Sequence, residues 1–332
     1  MLSRKETFRL GLGILISAAA LAGLLWVIDL REVLQALRAV DLRYFAPILT
    51  LTVISFWTRA AGWQTILPVQ IQVWKVFLYI NAGYLLNTIF PLRMGEVGRA
   101  FMLKPSGLDF WEAIPTIVLE RIFDFLLAAS LFLGALPFIL QIPQGTRYAV
   151  LVVGMVLVGL SSLYLLVRHQ KSVLQWVSDR KGTGGEWVGW IEKRLRSFLS
   201  GLDILADPAR FFRAFLWMLL SWMLAWGYQY LLLRAFVPQA KLLWAAFALG
   251  AVALGISLPS SPGNIGVYEA SMVAALLVFG LDQPTAFGYA IVSHVLNLSM
   301  TTIFGSFALV HEGFELRKML QYGETQKEEG EK

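Results

Sequence analysis

YAVLVVGMVLVGLSSLYLLV, residues 148–167, runs for twenty positions without a charged side chain. A helix of that length rises about 30 Å, the thickness of the hydrocarbon core of a bilayer. Three other runs read the same way: 10–28 and 214–233 carry no charge, and 285–310 is interrupted only by His294. Of the 332 residues, 57% are hydrophobic and 15% charged, and the mean hydropathy is +0.64. A water-soluble domain needs more charge than that to keep its surface wet. These features define an all-α polytopic membrane protein.

The pattern predicts about eight spans, at 10–28, 44–66, 74–91, 111–140, 147–168, 211–236, 241–258 and 285–311, within a single integral membrane domain over 1–312. The first run could instead be a signal peptide, because Arg4, Lys5 and Arg9 precede it and Ala20-Leu21-Ala22 resembles a cleavage site. The apolar run continues past that tripeptide through Trp26 and Val27, which favours a retained helix. DLREVLQALRAVD, residues 29–41, places Leu30, Val33, Leu34 and Leu37 on one face, as in a helix lying in the membrane interface. Residues 169–210 form a polar, basic loop with a Gly182–Gly185 hinge and an amphipathic helix, and 313–332 a charged disordered tail. The basic N-terminus and the basic 169–210 loop both claim the cytoplasm, yet five predicted spans separate them, so orientation stays open.

Composition also narrows the function. The chain has no cysteine, so disulfides, thiolate metal sites and cysteine nucleophiles are excluded. A net charge of +6 suits loops facing anionic head groups, and no basic water-exposed domain is present for nucleic acid. No cofactor, metal site or nucleotide-binding motif is expected, and a histidine–carboxylate metal site lacks any tight ligand spacing.

Two segments break the apolar pattern. NTIFPLRMGEVGRAFMLK, residues 87–104, and LPSSPGNIGVYEA, residues 258–270, each set a proline, a glycine and a glutamate between apolar stretches. The run 271–281 after the second is too short to cross a bilayer, so a re-entrant segment is expected. Paired interruptions of this kind mark the two halves of many transport sites and allow an internal repeat.

Ionisable groups in hydrocarbon are costly and normally face a partner or a cavity. Candidate substrate-binding residues are therefore Arg59, Arg93, Glu96, Arg99, Glu120, Arg121, Asp124, Glu269 and His294, with Ser261 and Asn264 at the second break. A helix restarting after Pro91 would offer free N–H groups to phosphate or carboxylate, and Arg93 and Arg99 suit a phosphodiester. Glu96 would contact an amine or gate the site. The same residues could be a surface loop held at the head groups. In LERIFD, Leu119 to Asp124, Glu120 and Asp124 share a helix face and Arg121 can reach Asp124; that network could serve a cavity or only lock packing. Ser260, Ser261 and Asn264 read first as caps, His294 as a packed hydrogen-bonding residue, and Trp217, Trp222, Trp226, Tyr228 and Tyr230 as packing or interfacial anchors.

Asn87 to Arg99 (NTIFPLRMGEVGR), LERIFD and LPSSPGNIGVYE resemble the recurring motifs of the lysylphosphatidylglycerol synthase transmembrane-region family, over about residues 10–312. The resemblance adds Asn87 to the candidate site. It implies the flippase-type membrane domain of the multiple peptide resistance proteins, which moves aminoacylated phosphatidylglycerol between leaflets, here as a stand-alone member without the synthase domain. It further implies a multi-pass protein of the cell membrane that is not itself an enzyme. Its partner would be a phospholipid or lipid-linked substrate, and related regions accompany glycosyltransferases acting on lipid-linked sugars. An integral membrane transferase, or a scaffold subunit of a membrane glycosyltransferase, are the alternatives.

Overall fold

A computed structural model describes residues 15, 17–26, 28–90, 94–169, 206–257 and 260–311. Arg93 with Pro91, the hinge and amphipathic helix of the 169–210 loop, and the 313–332 tail lie outside the described residues. Everything regular among the described residues is helical: α1 (Ser17–Trp26), α2 (Leu30–Arg38), α3 (Phe45–Ile66), α4 (Val73–Ile89), α5 (Met94–Met102), α6 (Phe110–Ile139), α7 (Gly145–Arg168), α8 (Pro208–Phe236), α9 (Leu242–Gly255), α10 (Val267–Leu277) and α11 (Gln283–His311).

Four of these, α6, α7, α8 and α11, are long and apolar enough to cross a membrane, and α2 with the segment through α3 forms a fifth candidate bent by 66°. The polytopic reading stands, but two predicted spans differ in kind. Segment 74–91 is the 17-residue α4 and segment 241–258 the 14-residue α9. At 1.5 Å per residue these reach only about 25 and 21 Å. Each is completed by a short helix that folds back along it: α5, of 9 residues, packs on α4, and α10, of 11 residues, packs on α9. Both breaks are therefore helical hairpins.

The bundle is organised around this pair. α11 packs against α4 and α10, making it a wall common to both hairpins, and α3 against α8 is the most extensive helix pairing. There, Ser55 Oγ donates to the Ser221 carbonyl and Ser221 Oγ to the Ser55 carbonyl, each at 3.0 Å. Small polar residues at such a crossing bring the backbones close, which drives helix association where lipid offers no hydrophobic contrast. Two apolar clusters result. Trp63, Phe77, Phe123 and Met218 surround the first hairpin; Leu232, Phe247, Met272 and Tyr289 surround the second. α7 lies outermost, with Val150, Leu151, Val153, Met155 and Val158 exposed as a lipid-facing strip. On α2, Val33 is buried and Leu37 packs near Gly288 of α11, while Leu30 and Leu34 stay exposed.

α1 is part of this assembly. Ser17 is buried and its Oγ accepts the Ser261 N–H at 2.9 Å, a contact that removal of the first apolar run would abolish.

Candidate functional site

The first hairpin closes because two glycines meet. A Cβ on Gly95 would lie 1.8 Å from the Gly83 carbonyl oxygen, so α5 can touch α4 only with hydrogen at that position. The break itself needs partners, since backbone groups left unpaired in hydrocarbon cost several kcal/mol each, roughly. Asn87 supplies one: its Oδ1 accepts the Gly95 N–H at 2.7 Å.

This closure delivers Arg99, from α5, into a charged cluster built on α6. Glu120, with 0% of its side chain exposed, accepts from Arg59 Nε at 3.0 Å through one oxygen and from Arg99 Nη2 through the other. Asp124 is paired with Arg59 Nη2, with Arg121 Nη1 at 3.1 Å and with the Trp222 indole N–H at 2.9 Å. Arg99, 1% exposed, lies over the Trp63 ring with its guanidinium carbon 3.9 Å from the centroid, and its Nε and Nη1 have no hydrogen-bond partner. The spacing of Glu120, Arg121 and Asp124 on one helix was legible in LERIFD; the clamping of that face by arginines from α3 and α5 was not.

Three arginines therefore face three carboxylates: Arg59, Arg99 and Arg121 against Glu96, Glu120 and Asp124. Formal neutrality is the physical condition for holding so many ions away from water. The pairs are unequal, however. Arg121 Nε and Glu96 Oε1 stand 3.3 Å apart, with 31% and 26% of their side chains exposed. Those two residues line a groove of about 290 Å³ whose remaining wall is apolar, formed by Ile117, Val118, Ile122, Phe125 and Leu126. Arg121 Nε and Nη2 have no hydrogen-bond partner. The sequence assigned direct phosphate contact to Arg93 and Arg99. Arg99 is sealed behind Glu120 and Trp63, so among the described residues the cation on the groove is Arg121.

The second break forms a separate cluster. Gly263 and Gly266 adopt φ of +69° and +88°, values that a side chain tolerates poorly. Ser261 and Asn264 do not cap α10. Ser261 Oγ donates to the Ile265 carbonyl at 3.1 Å, and Asn264 Oδ1 accepts from Ser260 Oγ at 2.8 Å. Both bonds stay inside the turn. The restarting helix is instead capped by Glu269, whose Oε2 accepts the Gly266 N–H at 2.6 Å. Its Oε1 lies 2.6 Å from His294 Nδ1, and His294 Nε2 lies 2.9 Å from the Gly263 carbonyl. His294 is thus the packed hydrogen-bonding residue expected, and it holds the break together.

The two breaks adjoin: a Cβ on Gly263 would touch Thr88 Cγ2, near the end of α4, at 3.4 Å. Glu269 and His294 nevertheless belong to the second hairpin's cluster, whereas Arg59, Glu96, Arg99, Glu120, Arg121 and Asp124 belong to the first. Several polar residues were missed. Gln229 Oε1 accepts from Tyr289 at 2.6 Å and from Ser293 at 3.0 Å, and Ser293 Oγ also meets Tyr268 at 2.7 Å. An amide in the middle of an apolar span was a signal available in the sequence. Trp222 and Tyr228 gave none beyond their default as packing or anchoring residues, and both are buried.

The sequence matches the family described as "Lysylphosphatidylglycerol synthase TM region" over residues 11–305. The chain belongs to this family. Similar proteins include the Glycosyltransferase AglD of Haloferax volcanii, 23% identical, covering 88% of this chain and 53% of that protein. The chain thus spans about half of that relative's length. The UPF0104 membrane protein MJ1078 of Methanocaldococcus jannaschii is 22% identical over 67% of this chain and 91% of its own. A UPF0104 membrane protein of Methanothermobacter thermautotrophicus is 23% identical, covering 92% of this chain and 96% of its own length. The proteins similar to this chain thus include some that it spans almost completely and one about half of whose length it covers.

Proposed function

We propose that the protein moves an anionic phospholipid or lipid-linked head group between the leaflets of the cell membrane, without altering it chemically. The observation that carries this reading is the groove at Glu96 and Arg121. An apolar groove bordered by an ion pair suits the amphipathic character of a lipid, with acyl chain along Ile117, Val118, Ile122 and Phe125 and phosphate at Arg121. Behind it lie further arginines whose carboxylate partners can be exchanged.

Charge balance supplies the mechanism. The cluster is neutral as it stands, so an incoming phosphate is accommodated by displacing a carboxylate. Glu96 is the one to leave, because it is the most exposed of the three carboxylates. Passage deeper then requires the same exchange at Asp124 and Glu120, which hold Arg59 and Arg99. Guanidinium suits this work, since it binds carboxylate and phosphate with one planar geometry.

The test is a reconstituted, full-length protein in vesicles containing fluorescent phosphatidylglycerol in the inner leaflet, followed by chemical quenching from outside. Arg121→Gln is expected to slow exchange at least tenfold, roughly, while leaving the folded fraction intact, and mass spectrometry should recover unchanged lipid. Exchange equal to empty vesicles, repeated with a lipid-linked phosphosugar, would overturn the reading. The similarity to Glycosyltransferase AglD favours a second reading, in which the domain serves a glycosyltransferase using a lipid-linked substrate. Co-purification of such an enzyme whose activity falls when this chain is removed would support it.

A further inference from the structure

The Glu269–His294 pair is not used by the head-group exchange described above, yet its geometry carries a proton count. The Gly263 carbonyl can only accept, so the 2.9 Å contact requires hydrogen on His294 Nε2. The 2.6 Å contact between His294 Nδ1 and Glu269 Oε1 then requires a second proton, on one atom or the other. Without it, two lone pairs would face each other at that distance. Glu269 Oε2 is already occupied by the Gly266 N–H.

We infer that Glu269 and His294 form a buried proton-binding site whose occupancy latches the second break, making the proton a coupling ligand of the protein. With the proton bound, His294 spans from the carboxylate to the Gly263 carbonyl and Glu269 holds Gly266, so the turn is tied at both glycines. When the proton leaves, one of the two imidazole contacts becomes lone pair against lone pair, whichever nitrogen keeps its hydrogen. Either Gly263 then parts from His294, or His294 parts from Glu269 and the brace between the two glycines is cut. Gly263 lies against Thr88 near the end of α4, so the release is felt at the mouth of the first hairpin.

The surroundings fit a neutral pair sharing a proton. Tyr268 of α10 stacks on the imidazole with centroids 4.1 Å apart, a face that favours the cationic ring. Ser293 on α11 and Gln229 and Tyr228 on α8 complete the polar surroundings with hydroxyl and amide groups, joined by Tyr289. Asn297, one turn along α11, bonds Tyr228, on which the charge of Arg59 also acts.

Two measurements on the full chain in lipid nanodiscs test this. The protein lacks cysteine, so Ser261→Cys reports the break by its reaction with a water-soluble maleimide, normalised to an exposed Lys241→Cys reference. Over a series from about pH 5 to pH 9, the normalised rate should rise about tenfold for each pH unit beyond the pair's titration. Glu269→Gln and His294→Gln should each abolish that pH dependence, which a purely structural contact would never have shown. Nitrogen-15 spectra of labelled histidine, assigned with His294→Gln, should show the Nδ1 proton lost over the same range. A flat labelling profile, with a bare Nδ1 beside an ionised Glu269 at about pH 6, would overturn the inference. The consequence for transport rests on the lipid reading and separates from it. If lipid exchange proceeds but ignores a pH gradient and labelling is flat, the proton site falls alone. If labelling and spectra titrate as expected while no lipid moves, the proton site stands and the lipid reading falls.

Discussion

Glu120→Gln removes the carboxylate that three arginines share. Arg59 keeps Asp124, and Arg121 keeps Asp124 and Glu96, but Arg99 loses its carboxylate partner. Its Nε and Nη1 are already without hydrogen bonds, and 1% of its side chain is exposed. Stranding one member of a buried pair costs about 3–5 kcal/mol in water-soluble proteins. An unpaired arginine at mid-membrane costs about 2.5–3.5 kcal/mol on insertion scales. Stacking on Trp63 remains and returns roughly 1–2 kcal/mol of cation–π attraction in both variant and wild type, so it does not change the difference. A loss of about 3 kcal/mol is therefore expected. The amide of the new glutamine can still accept one hydrogen bond, which argues for the lower end of the range. The check is unfolding of the purified protein in mixed micelles with increasing denaturing detergent, paired with Arg99→Gln and the double variant. Because the double variant restores neutrality, it should recover about 1–2 kcal/mol relative to the sum of the singles, as contacting charges do. Additivity within about 0.5 kcal/mol, or a single-variant loss below about 1 kcal/mol, would refute the idea that Glu120 neutralises Arg99.

Other consequences follow from particular contacts. Gly95→Ala must push the hairpin arms apart, because its Cβ would overlap the Gly83 carbonyl; a loss of about 3 kcal/mol or more is expected, whereas Gly134→Ala, with open space around it in mid-helix, should be neutral or stabilising by up to about 1 kcal/mol. Thermal melts of the two variants side by side decide this. Asn87→Ala should cost about 1 kcal/mol by leaving the Gly95 N–H unpaired, and Asn87→Asp, which keeps an acceptor, should recover part of it. Trp222→Phe retains most of the apolar area but removes the donor to Asp124, so about 1–2 kcal/mol should be lost, read in the same melts.

What the sequence made legible was what depends on local chemistry. Uncharged runs of twenty residues gave the membrane class, Pro and Gly gave the breaks, and the four-residue spacing of Glu120 and Asp124 gave their common face. The hairpins were less visible. Whether a helix continues across a proline or folds back depends on what meets its far side, and Gly83 carries no mark in the sequence of its contact with Gly95. The candidate cluster was legible in membership more than in arrangement. Arg59 was selected only because an ion in a span demands a partner, while the choice of Glu120 and Asp124 as that partner is tertiary. Trp63 escaped notice, and Trp222 was read only as packing or an anchor, because an aromatic that stacks on arginine, or donates to a carboxylate, looks in sequence like any other aromatic of a span. The serines of the second break were misjudged for a clearer reason. Serine caps a helix when nothing better is near, and here Glu269 reaches the Gly266 N–H with a full charge.

The arrangement of the two hairpins bears on how a proton and a head group could act on one another. The first hairpin holds ions in neutral balance, with its most exposed pair at the groove; the second holds a histidine and a glutamate across a glycine turn. No direct bond joins the two clusters among the described contacts, so coupling has to travel through packing. Two routes are present. α11 carries His294 and forms a wall for both hairpins, and the Gly263 turn abuts Thr88 of α4. A turn that loosens at Gly263 takes away support from the last turn of α4, and that turn also bears Asn87, the residue tying Gly95 of α5. α5 in turn carries Glu96 and Arg99 into the charged cluster. Loss of one proton at His294 therefore acts first on the end of the first hairpin, where Glu96 must move for a head group to enter, and only afterwards on the buried arginines.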